Sequence, residues 1–176
     1  YMGKSGECTT AIKCILKKNI SNVGDLASID REISIMTLVS GHPNVLGFLR
    51  ATHGSQAIHL HMQYAGRQNL HTYLQQQHPL DSIEAKETAK QCTAAVCHLH
   101  AASVAHRDIK PENYVVGDSR ITRSSHPNLV LVDMGLAILA TGKFEATDIC
   151  GTIPFMAPEA ASGEQYSSFL ADAWSL

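Results

Sequence analysis

The sequence predicts an α+β fold with two parts, a strand-rich first third that contains one helix and a remainder that is mainly helical. In the first third, short runs of β-branched and apolar residues alternate with turn formers around a single stretch of helical spacing. Beyond residue 66 the order reverses, because two helical stretches precede two brief apolar runs of strand length. Residues 63–66 form a short predicted linker between the two parts.

The strand-rich part opens with residues 9–16, which mix β-branched and apolar side chains after a turn-like segment. This composition predicts a strand leaving a hairpin, with Lys13 inside the strand. Residues 25–39 carry apolar side chains three and four positions apart, which is the spacing of one helix face. Residues 41–43, Gly-His-Pro, end this predicted helix. Its apolar face consists of Leu26, Ile29, Ile33 and Met36.

Two further strands are predicted before the linker and two helices after it. Residues 45–48 and 58–62 have the composition of strands. Residues 69–77 have a helical pattern, and the Asp-x-x-Glu spacing of Asp81 and Glu84 marks the N-terminus of a longer helix. The apolar stripe of that helix consists of Ile83, Cys92, Ala95, Val96 and Leu99.

Two short buried strands are predicted later in the chain. Residues 115–116 and 129–132 are apolar and mostly β-branched, and the stretch between them is rich in turn formers. Residues 137–158 show no sustained apolar period, which predicts a loop.

Composition and charge are those of an ordinary globular protein. The 176 residues are 44% hydrophobic and carry a formal net charge of -2, so no basic field predicts binding to nucleic acid or to a membrane surface. Five cysteines form no Cys-x-x-Cys pair and are odd in number, which argues against a disulfide framework. This cysteine usage, together with the lack of an apolar run of about 18 residues, predicts an intracellular protein of the cytoplasm or the nucleus.

The most specific string is His-Arg-Asp-Ile-Lys-Pro-Glu-Asn at residues 106–113. It resembles the catalytic loop of protein kinases at every defined position. The resemblance implies that Asp108 orients an attacking hydroxyl and accepts its proton, and that Lys110 neutralises charge on the transferred phosphoryl group. Asn113 would offer an oxygen to Mg²⁺, and Glu112 would favour basic residues near the phosphoacceptor.

A second string, Asp133-Met134-Gly135, follows the predicted strand at residues 129–132. It resembles the kinase Asp-Phe-Gly motif with Met in place of Phe, which implies that Asp133 chelates the Mg²⁺ bridging the nucleotide phosphates. Met is long, apolar and flexible, so it suits the buried position of the phenylalanine.

Lys13 ends a third string, Ala-Ile-Lys, which resembles the kinase strand whose lysine contacts the α- and β-phosphates of ATP. An ammonium group inside an apolar strand needs a partner, because a desolvated charge left alone is costly. Glu32 is the predicted partner, since it lies beside the apolar face of the following helix at the separation expected for the kinase Lys–Glu pair.

The adenine side of the predicted nucleotide site lies at the linker. Met62 resembles the kinase residue that gates the back of the adenine pocket, and the resemblance implies that Gln63 and Ala65 offer backbone groups to adenine. Asn69 stands where many relatives have an acidic ribose contact. It is the candidate ribose ligand here, with an amide in place of the carboxylate.

Residues 151–159 resemble the end of a kinase activation segment, the stretch that would begin at Asp133. Thr152 in this segment, together with Lys110 in the catalytic loop, is the pattern of serine/threonine kinases. Asp172 belongs to a string that resembles the start of the helix anchoring the catalytic loop. The segment closes on an Ala-Pro-Glu motif formed by Ala157, Pro158 and Glu159.

Arg107 precedes the predicted catalytic aspartate and in related kinases usually pairs with an acidic group on the activation segment. Asp148 lies four residues before Thr152, near where such kinases often carry a phosphate. We hypothesise that Asp148 supplies a standing negative charge to Arg107 and relaxes the need for phosphorylation. The alternative, that Asp148 is a solvated loop residue, stays open at this point, and Thr141 and Thr147 are phosphorylatable neighbours.

Taken together, these motifs resemble those of a eukaryotic-type serine/threonine protein kinase domain. The resemblance implies a bilobal fold with residues 1–62 as a partial N-lobe of antiparallel strands and one helix, residues 63–66 as the hinge, and residues 67–176 as a partial, mainly helical C-lobe. The 12 residues before Lys13 contain no glycine-rich loop. The domain is therefore expected to be truncated at both ends.

The implied activity is ATP- and Mg²⁺-dependent transfer of phosphate to Ser or Thr of a protein substrate, assigned to the parent protein and not to the isolated fragment. A pseudokinase that acts as a binding or scaffolding module is the first alternative. Such proteins usually lose the strand lysine, the catalytic aspartate or the metal aspartate, whereas Lys13, Asp108 and Asp133 are all present. A kinase-like enzyme acting on small molecules is the second alternative, and it would lack the Ala-Pro-Glu segment.

Overall fold

The computed structural model describes residues 2–5, 8–76, 79–117, 126–140 and 146–176, and of residues 2–5 and 8 the backbone alone. Among the described residues, no helix combines the length and the apolar character needed to cross a bilayer.

An antiparallel sheet forms the first lobe. Its four strands lie in the spatial order β1-β2-β4-β3, and the hairpin predicted before residue 9 is confirmed by the pairing of β1 with β2. The strands are β1 (Met2–Ser5), β2 (Cys8–Leu16), β3 (Phe48–His53) and β4 (Ala57–Gln63). The predicted turn at Gly54 is also confirmed, because its N–H donates to the Ala57 carbonyl at 2.8 Å.

The strand predicted at residues 45–48 is wrong, because β3 begins only at its last residue. Val45 instead forms a parallel bridge with Leu131 in the second lobe, and the Leu46 N–H donates to the Leu131 carbonyl at 2.9 Å. Val45 and Leu46 therefore pack where the two lobes meet. Packing at this junction favours the same apolar composition as a buried strand, which explains the wrong prediction.

One helix, α1 (Val23–Val39), packs on the sheet. It begins with a reciprocal capping box between Asn22 and Asp25, which satisfies donors at both residues. Its fully buried residues all lie in its second half and are Glu32, Ile35, Met36 and Val39. The predicted apolar face is thus wrong at Leu26, which is half exposed because the first turns of the helix extend beyond the packed surface.

The first two helices of the second lobe are α2 (Leu70–Gln76) and α3 (Ser82–Ala101). The predicted N-terminus of α3 is confirmed by a capping box between Asp81 and Glu84. Its buried stripe contains Ala95, Val96 and Leu99, but Ile83 in the first turn is exposed, so the predicted stripe is wrong at that end. The predicted end of α2 at residue 77 lies outside the described residues.

In the described part of the second lobe, five short strands and two further short helices follow or flank these helices. A three-stranded sheet has the order β5-β7-β8, and β6 pairs with β9. The strands are β5 (Gln68–Asn69), β6 (Val104–Ala105), β7 (Tyr114–Val116), β8 (Leu129–Leu131) and β9 (Ile138–Leu139), and the helices are α4 (Pro158–Ser162) and α5 (Ser168–Ser175). The two predicted buried strands are confirmed as β7 and β8, whereas the loop predicted from residue 137 contains β9 and a 3-10 turn at Ile153–Phe155.

The main hydrophobic core crosses from one lobe to the other. It contains Met36 of α1, Leu60 of β4, Leu99 of α3 and Met134. Because both lobes contribute to one core, the loops at their junction are held from both sides, and the candidate site lies there.

Candidate active site

The catalytic-loop string lies between β6 and β7 and is anchored from below by Asp172 of α5. The buried Asp172 carboxylate accepts the backbone N–H of His106 at 2.8 Å and of Arg107 at 2.7 Å. His100 of α3 places its Nε2 3.0 Å from the same carboxylate. These three contacts hold the buried Asp172 carboxylate, and the carboxylate in turn fixes the start of the catalytic loop.

His106 joins the catalytic loop to the strand before Asp133. Its buried ring accepts the Asp108 N–H at Nδ1 over 3.2 Å, while Nε2 lies 3.1 Å from the Val132 carbonyl. The Val132 N–H in turn donates to the Asn113 carbonyl at 2.9 Å. The two segments that carry the predicted metal ligands are therefore adjacent.

The Asp108 carboxylate receives donors on both oxygens. Thr152 Oγ1 donates to Oδ1 at 2.7 Å, and Lys110 Nζ lies 2.8 Å from Oδ2. Asn113 Nδ2 donates to Oδ2 at 3.0 Å and to the Asp108 carbonyl at 2.8 Å. Lys110 also donates to Thr152 at 2.7 Å, so the residues predicted as the serine/threonine pattern meet at the predicted catalytic carboxylate.

These donors lower the pKa of Asp108. Burial alone would raise the pKa, but the hydrogen bonds from Lys110, Thr152 and Asn113, together with the lysine charge, outweigh it. Since the folded pKa lies below the ordinary 3.8, this carboxylate stabilises the fold above that pH, and the contribution is lost as pH falls through the folded pKa. The three donors also hold the carboxylate in place, and this geometry suits orientation of a hydroxyl.

Gly151 allows the activation segment to lie directly against this loop. Its φ is +105°, and a Cβ there would come within 2.8 Å of the Arg107 carbonyl oxygen. A larger residue would be strained twice over, by its backbone conformation and by this clash. The close approach places the neighbouring Thr152 at Asp108.

The predicted pair of Lys13 and Glu32 is confirmed. Lys13 in β2 donates to Glu32 Oε1 at 2.6 Å, and Glu32 is buried on the inner face of α1. Lys13 Nζ also lies 3.7 Å from Asp133 Oδ1. One ammonium group therefore links the strand, the helix and the segment after β8 across the junction of the lobes.

Asp133 leaves β8 in the left-handed region, with φ +64°. Its carboxylate is exposed, with 57% of the side chain accessible, and accepts the Gly135 N–H at 3.3 Å. Met134 is buried in the shared core, as expected for a residue in the phenylalanine position. The turn at residues 133–135 thus places the Met134 side chain in the core and the Asp133 carboxylate at the cleft between the two lobes.

The donor set of Asn113 and Asp133 fits Mg²⁺, a hard cation that prefers oxygen ligands. Asn113 uses its amide nitrogen on Asp108, and its Oδ1 makes no hydrogen bond within the described part of the chain. That oxygen and the Asp133 carboxylate could serve as metal ligands, and the Lys13 ammonium group lies 3.7 Å from Asp133 Oδ1.

The residues predicted for the adenine side lie at the end of β4 and just beyond it. Met62 is buried in the shared core, and the Gln63 N–H donates to the Gly47 carbonyl at 2.8 Å. Ala65 is half-buried in the linker. Asn69 Oδ1 accepts the Thr72 N–H at 2.9 Å at the start of α2, so its side-chain oxygen serves the helix, and a ribose contact stays a prediction.

The activation segment places Asp148 on Arg107. Arg107 Nη1 lies 2.7 and 2.8 Å from the two Asp148 oxygens, and its Nε donates to the Leu136 carbonyl at 2.9 Å. The arginine side chain is only 7% exposed, whereas that of Asp148 is 60% exposed. Asp148 is therefore a solvent-exposed loop residue that also pairs with Arg107, and its role as a standing charge stays a prediction.

The opposite charges of Asp148 and Arg107 stabilise each other. Partial burial would raise the pKa of Asp148, but the hydrogen bonds and charge of Arg107, with a smaller effect from Arg31, lower it. Asp148 thus stabilises the fold above the ordinary 3.8, and its contribution is lost as pH falls through the folded pKa. Thr147 is exposed, and Thr141 lies outside the described residues.

Tyr166 and His100 are supporting residues that the sequence did not reveal. The Tyr166 hydroxyl donates to the Asp148 carbonyl at 3.0 Å, and its backbone forms a bridge with Ala146. His100 supports Asp172. Both contacts join residues far apart in the chain without a motif, so no sequence signal marked them.

The Ala-Pro-Glu string lies at the start of α4. Ala157 is buried, Pro158 is the first residue of the helix, and Glu159 falls in its first turn. Proline suits this position because its missing N–H has no partner there in any helix, and an acidic residue in the first turn complements the helix dipole.

The two lobes, the Lys13–Glu32 pair and the loop that carries Asp108 are the parts of a protein kinase domain. The protein kinase domain family matches residues 1–176, and the chain belongs to that family. The predicted bilobal α+β fold is thereby confirmed.

Proteins named as kinases are among the relatives. The chain is 33% identical over 174 residues to the probable serine/threonine-protein kinase KCC4 of Saccharomyces cerevisiae, with 94% of this chain and 16% of that protein covered. It is 34% identical over 167 residues to human NUAK family SNF1-like kinase 2, covering 94% and 25%. It is 35% identical over 168 residues to CBL-interacting protein kinase 11 of Oryza sativa subsp. japonica, covering 94% and 32%. The chain thus spans a third or less of the length of these relatives.

Proposed function

We propose that the protein containing this chain is an ATP-dependent serine/threonine protein kinase, which transfers the γ-phosphate of ATP to a Ser or Thr hydroxyl of a protein substrate. The arrangement around Lys13 carries the proposal. Its ammonium group pairs with Glu32 at 2.6 Å and lies 3.7 Å from Asp133, as required for a lysine that grips nucleotide phosphates beside a metal ligand.

Asn113 and Asp133 would hold Mg²⁺, and Lys13 would contact the phosphates of ATP. When bound, Mg²⁺ neutralises charge on the phosphate oxygens. Gln63 and Ala65 would present backbone groups to adenine beside Met62, and Asn69 is the proposed ribose contact.

Asp108 would orient the substrate hydroxyl for in-line attack. Its position is fixed by Thr152, Lys110 and Asn113, so the carboxylate loses little freedom when substrate binds. Lys110 stands beside it with its ammonium group free to share phosphate charge, since its two contacts leave a third donor. The proposed partner is a protein substrate with an acceptor Ser or Thr, and no nucleic acid or membrane partner is proposed. The proposed location is the cytoplasm or the nucleus.

The decisive experiment measures phosphate transfer from ATP to Ser- and Thr-containing peptides by the full-length protein with Mg²⁺. We expect phosphoserine or phosphothreonine on the peptide, and little or none when Asp133→Asn is used as the inactive control. A pseudokinase would bind ATP in a thermal-shift titration without transferring phosphate, and that result would overturn the proposal.

Asp148→Asn should lower the activity of the full-length protein about tenfold. A hydrogen bond to a charged group contributes about 1.5–3 kcal/mol, and the low end applies because Asp148 is largely exposed. The loss follows because buried Arg107 would keep its charge without a negatively charged partner, and the segment that presents Thr152 would be less ordered. The measurement is kcat on one peptide after phosphatase treatment.

The controls for this prediction are Asp148→Glu, which keeps the charge, and Thr147→Ala, which removes the neighbouring hydroxyl. Both should stay within a factor of about three of the unmodified protein, since neither removes the negative charge at position 148. Equal activity of Asp148→Asn and the parent, or a parent inactive until Thr147 is phosphorylated, would show that Asp148 does not act as a standing charge.

A further inference from the structure

Two histidine rings stack where the end of α1 meets α3. The rings of His42 and His98 have centroids 4.7 Å apart and planes inclined by 22°. His98 belongs to α3, and its Nε2 lies 3.0 Å from the carbonyl oxygen of Val39, the last residue of α1. Because a carbonyl oxygen only accepts, Nε2 of His98 carries a proton and donates. This contact holds the end of α1 against the second lobe.

His42 makes a contact that requires its neutral form. Its Nδ1 accepts the backbone N–H of Asn44 at 3.1 Å. A backbone N–H only donates, so this Nδ1 has no proton of its own, and protonation of the ring would remove the acceptor. A proton on His98 would leave its contact to Val39 intact, because Nε2 donates in both forms. His42 is therefore the ring whose charge state decides whether a hydrogen bond is kept or lost.

Asn44 in turn holds the strand that leads to Asp133. It is buried, its Nδ2 donates to the Leu129 carbonyl at 2.8 Å, and its carbonyl accepts the Leu131 N–H at 2.8 Å. These contacts hold both ends of β8, and Asp133 follows two residues later. The other ring of the stack holds the end of α1, the helix that carries Glu32. The stack thus supports both segments whose carboxylates lie beside the strand lysine.

The surroundings of His42 oppose a charge on its ring. Burial, and then the neighbouring His98, hold the pKa of His42 below its ordinary 6.5. Since the folded pKa lies below the ordinary value, neutral His42 stabilises the fold above pH 6.5, and this contribution is lost as pH falls through the folded pKa. In the described part of the chain, the other titratable side chains that line the cavities beside residues 42–44 are Tyr64, Glu87, Lys90 and His126.

We propose that His42 is a positioning residue of the proposed kinase reaction, which keeps β8 and the end of α1 in register only while its ring is neutral. This inference rests on the proposed function. A proton on His42 would release Asn44, and Asp133 and Glu32 would then be less well aligned with Lys13. Because ATP binding needs that alignment, protons and ATP compete through His42, and the coupling is reciprocal.

The test measures the affinity of the full-length protein for ATP with Mg²⁺ by calorimetry, and kcat/KM for one peptide, at about pH 7.5 and about pH 5.5. Phosphate groups also titrate near about pH 6, so the parent is compared with a variant at each pH. On acidification the parent should lose about three- to tenfold more ATP affinity than His42→Asn, the effect of one hydrogen bond. Asparagine accepts the N–H two residues on, as in an Asx turn, and does not titrate.

Two further variants test whether the effect belongs to this ring. His42→Ala removes the acceptor at every pH, so its ATP affinity should already be lowered at the higher pH and should fall no further than that of His42→Asn. His53→Asn makes the same replacement at an exposed histidine of β3, and it should keep the full pH dependence of the parent. The melting temperature of the parent should also fall more on acidification than that of His42→Asn.

The outcomes separate this inference from the proposed function. Equal losses of ATP affinity in the parent and in His42→Asn would overturn the role of His42, whether or not phosphate is transferred. ATP binding that depends on pH through His42, without transfer to any peptide, would overturn the proposed function and leave His42 as a positioning residue of an ATP site. A full-length protein that binds no ATP at either pH would overturn both.

Discussion

Asp133→Asn in the full-length protein should lower the rate of phosphate transfer by about a thousandfold or more. The Asp133 carboxylate is the only acidic member of the proposed Asn113 and Asp133 ligand set, and a metal in such a site contributes several kcal/mol to the transition state. Asparagine is the right replacement because Asp133 has φ +64°, a conformation that asparagine tolerates better than alanine. The measurements are kcat and the Mg²⁺ dependence of ATP binding by calorimetry.

Asp30→Asn is the matched control for that substitution. Asp30 lies on the exposed side of α1, so the same change of charge is made away from the cleft. We expect the control to keep its activity, and Asp133→Asn to keep its melting temperature within a few degrees because the carboxylate is exposed. Asp133→Asn with full activity and unchanged Mg²⁺ dependence would show that the metal site is assigned to the wrong residue.

Local signals in the sequence predicted contacts that depend on one element or on a fixed spacing. The capping box of Asp81 and Glu84 lies within four residues, so the chain geometry alone determines it. The Lys13–Glu32 pair spans two elements, but the charge in an apolar strand demanded a partner, and the next helix offered one beside its apolar face.

The errors have a common physical cause, since amphipathic spacing shows which face of an element is apolar but not how much of its length is covered. Leu26 and Ile83 each continue an apolar stripe and are exposed, because the packed partner does not reach the first turns of their helices. Val45, in contrast, is buried by a contact outside its own segment. It forms a bridge with Leu131 in the other lobe, and no local pattern encodes this bridge.

The same limit applies to the candidate site. Asp108, Asn113 and Asp133 were found because their strings are continuous, and the structure places these strings on adjacent segments through His106 and Val132. Tyr166 and His100 contact Asp148 and Asp172, which lie 18 and 72 positions away in the chain. Such contacts depend on how separate segments pack, so the sequence alone could not assign them.

Asp108→Asn should lower kcat by about 10²-fold or more, because the attacking hydroxyl would lose the carboxylate that orients it, and leave the affinity for ATP unchanged. The asparagine can turn its oxygen to Lys110 and its amide to Thr152, so the contacts that fix the loop survive while the negative charge is lost. Single-turnover transfer and ATP titration on the full-length protein measure the two quantities separately.

The lowered pKa of Asp108 also predicts how kcat should depend on pH in the same experiment. Its pKa lies below the ordinary 3.8, so the carboxylate remains ionised throughout the range of about pH 5 to 8 in which proteins are usually most stable. Any fall in kcat on acidification across that range must come from another group, and it should appear with equal midpoint in the parent and in Asp108→Asn. A midpoint present in the parent and absent from the variant would show that Asp108 titrates there, and the orienting role inferred from its donors would be wrong.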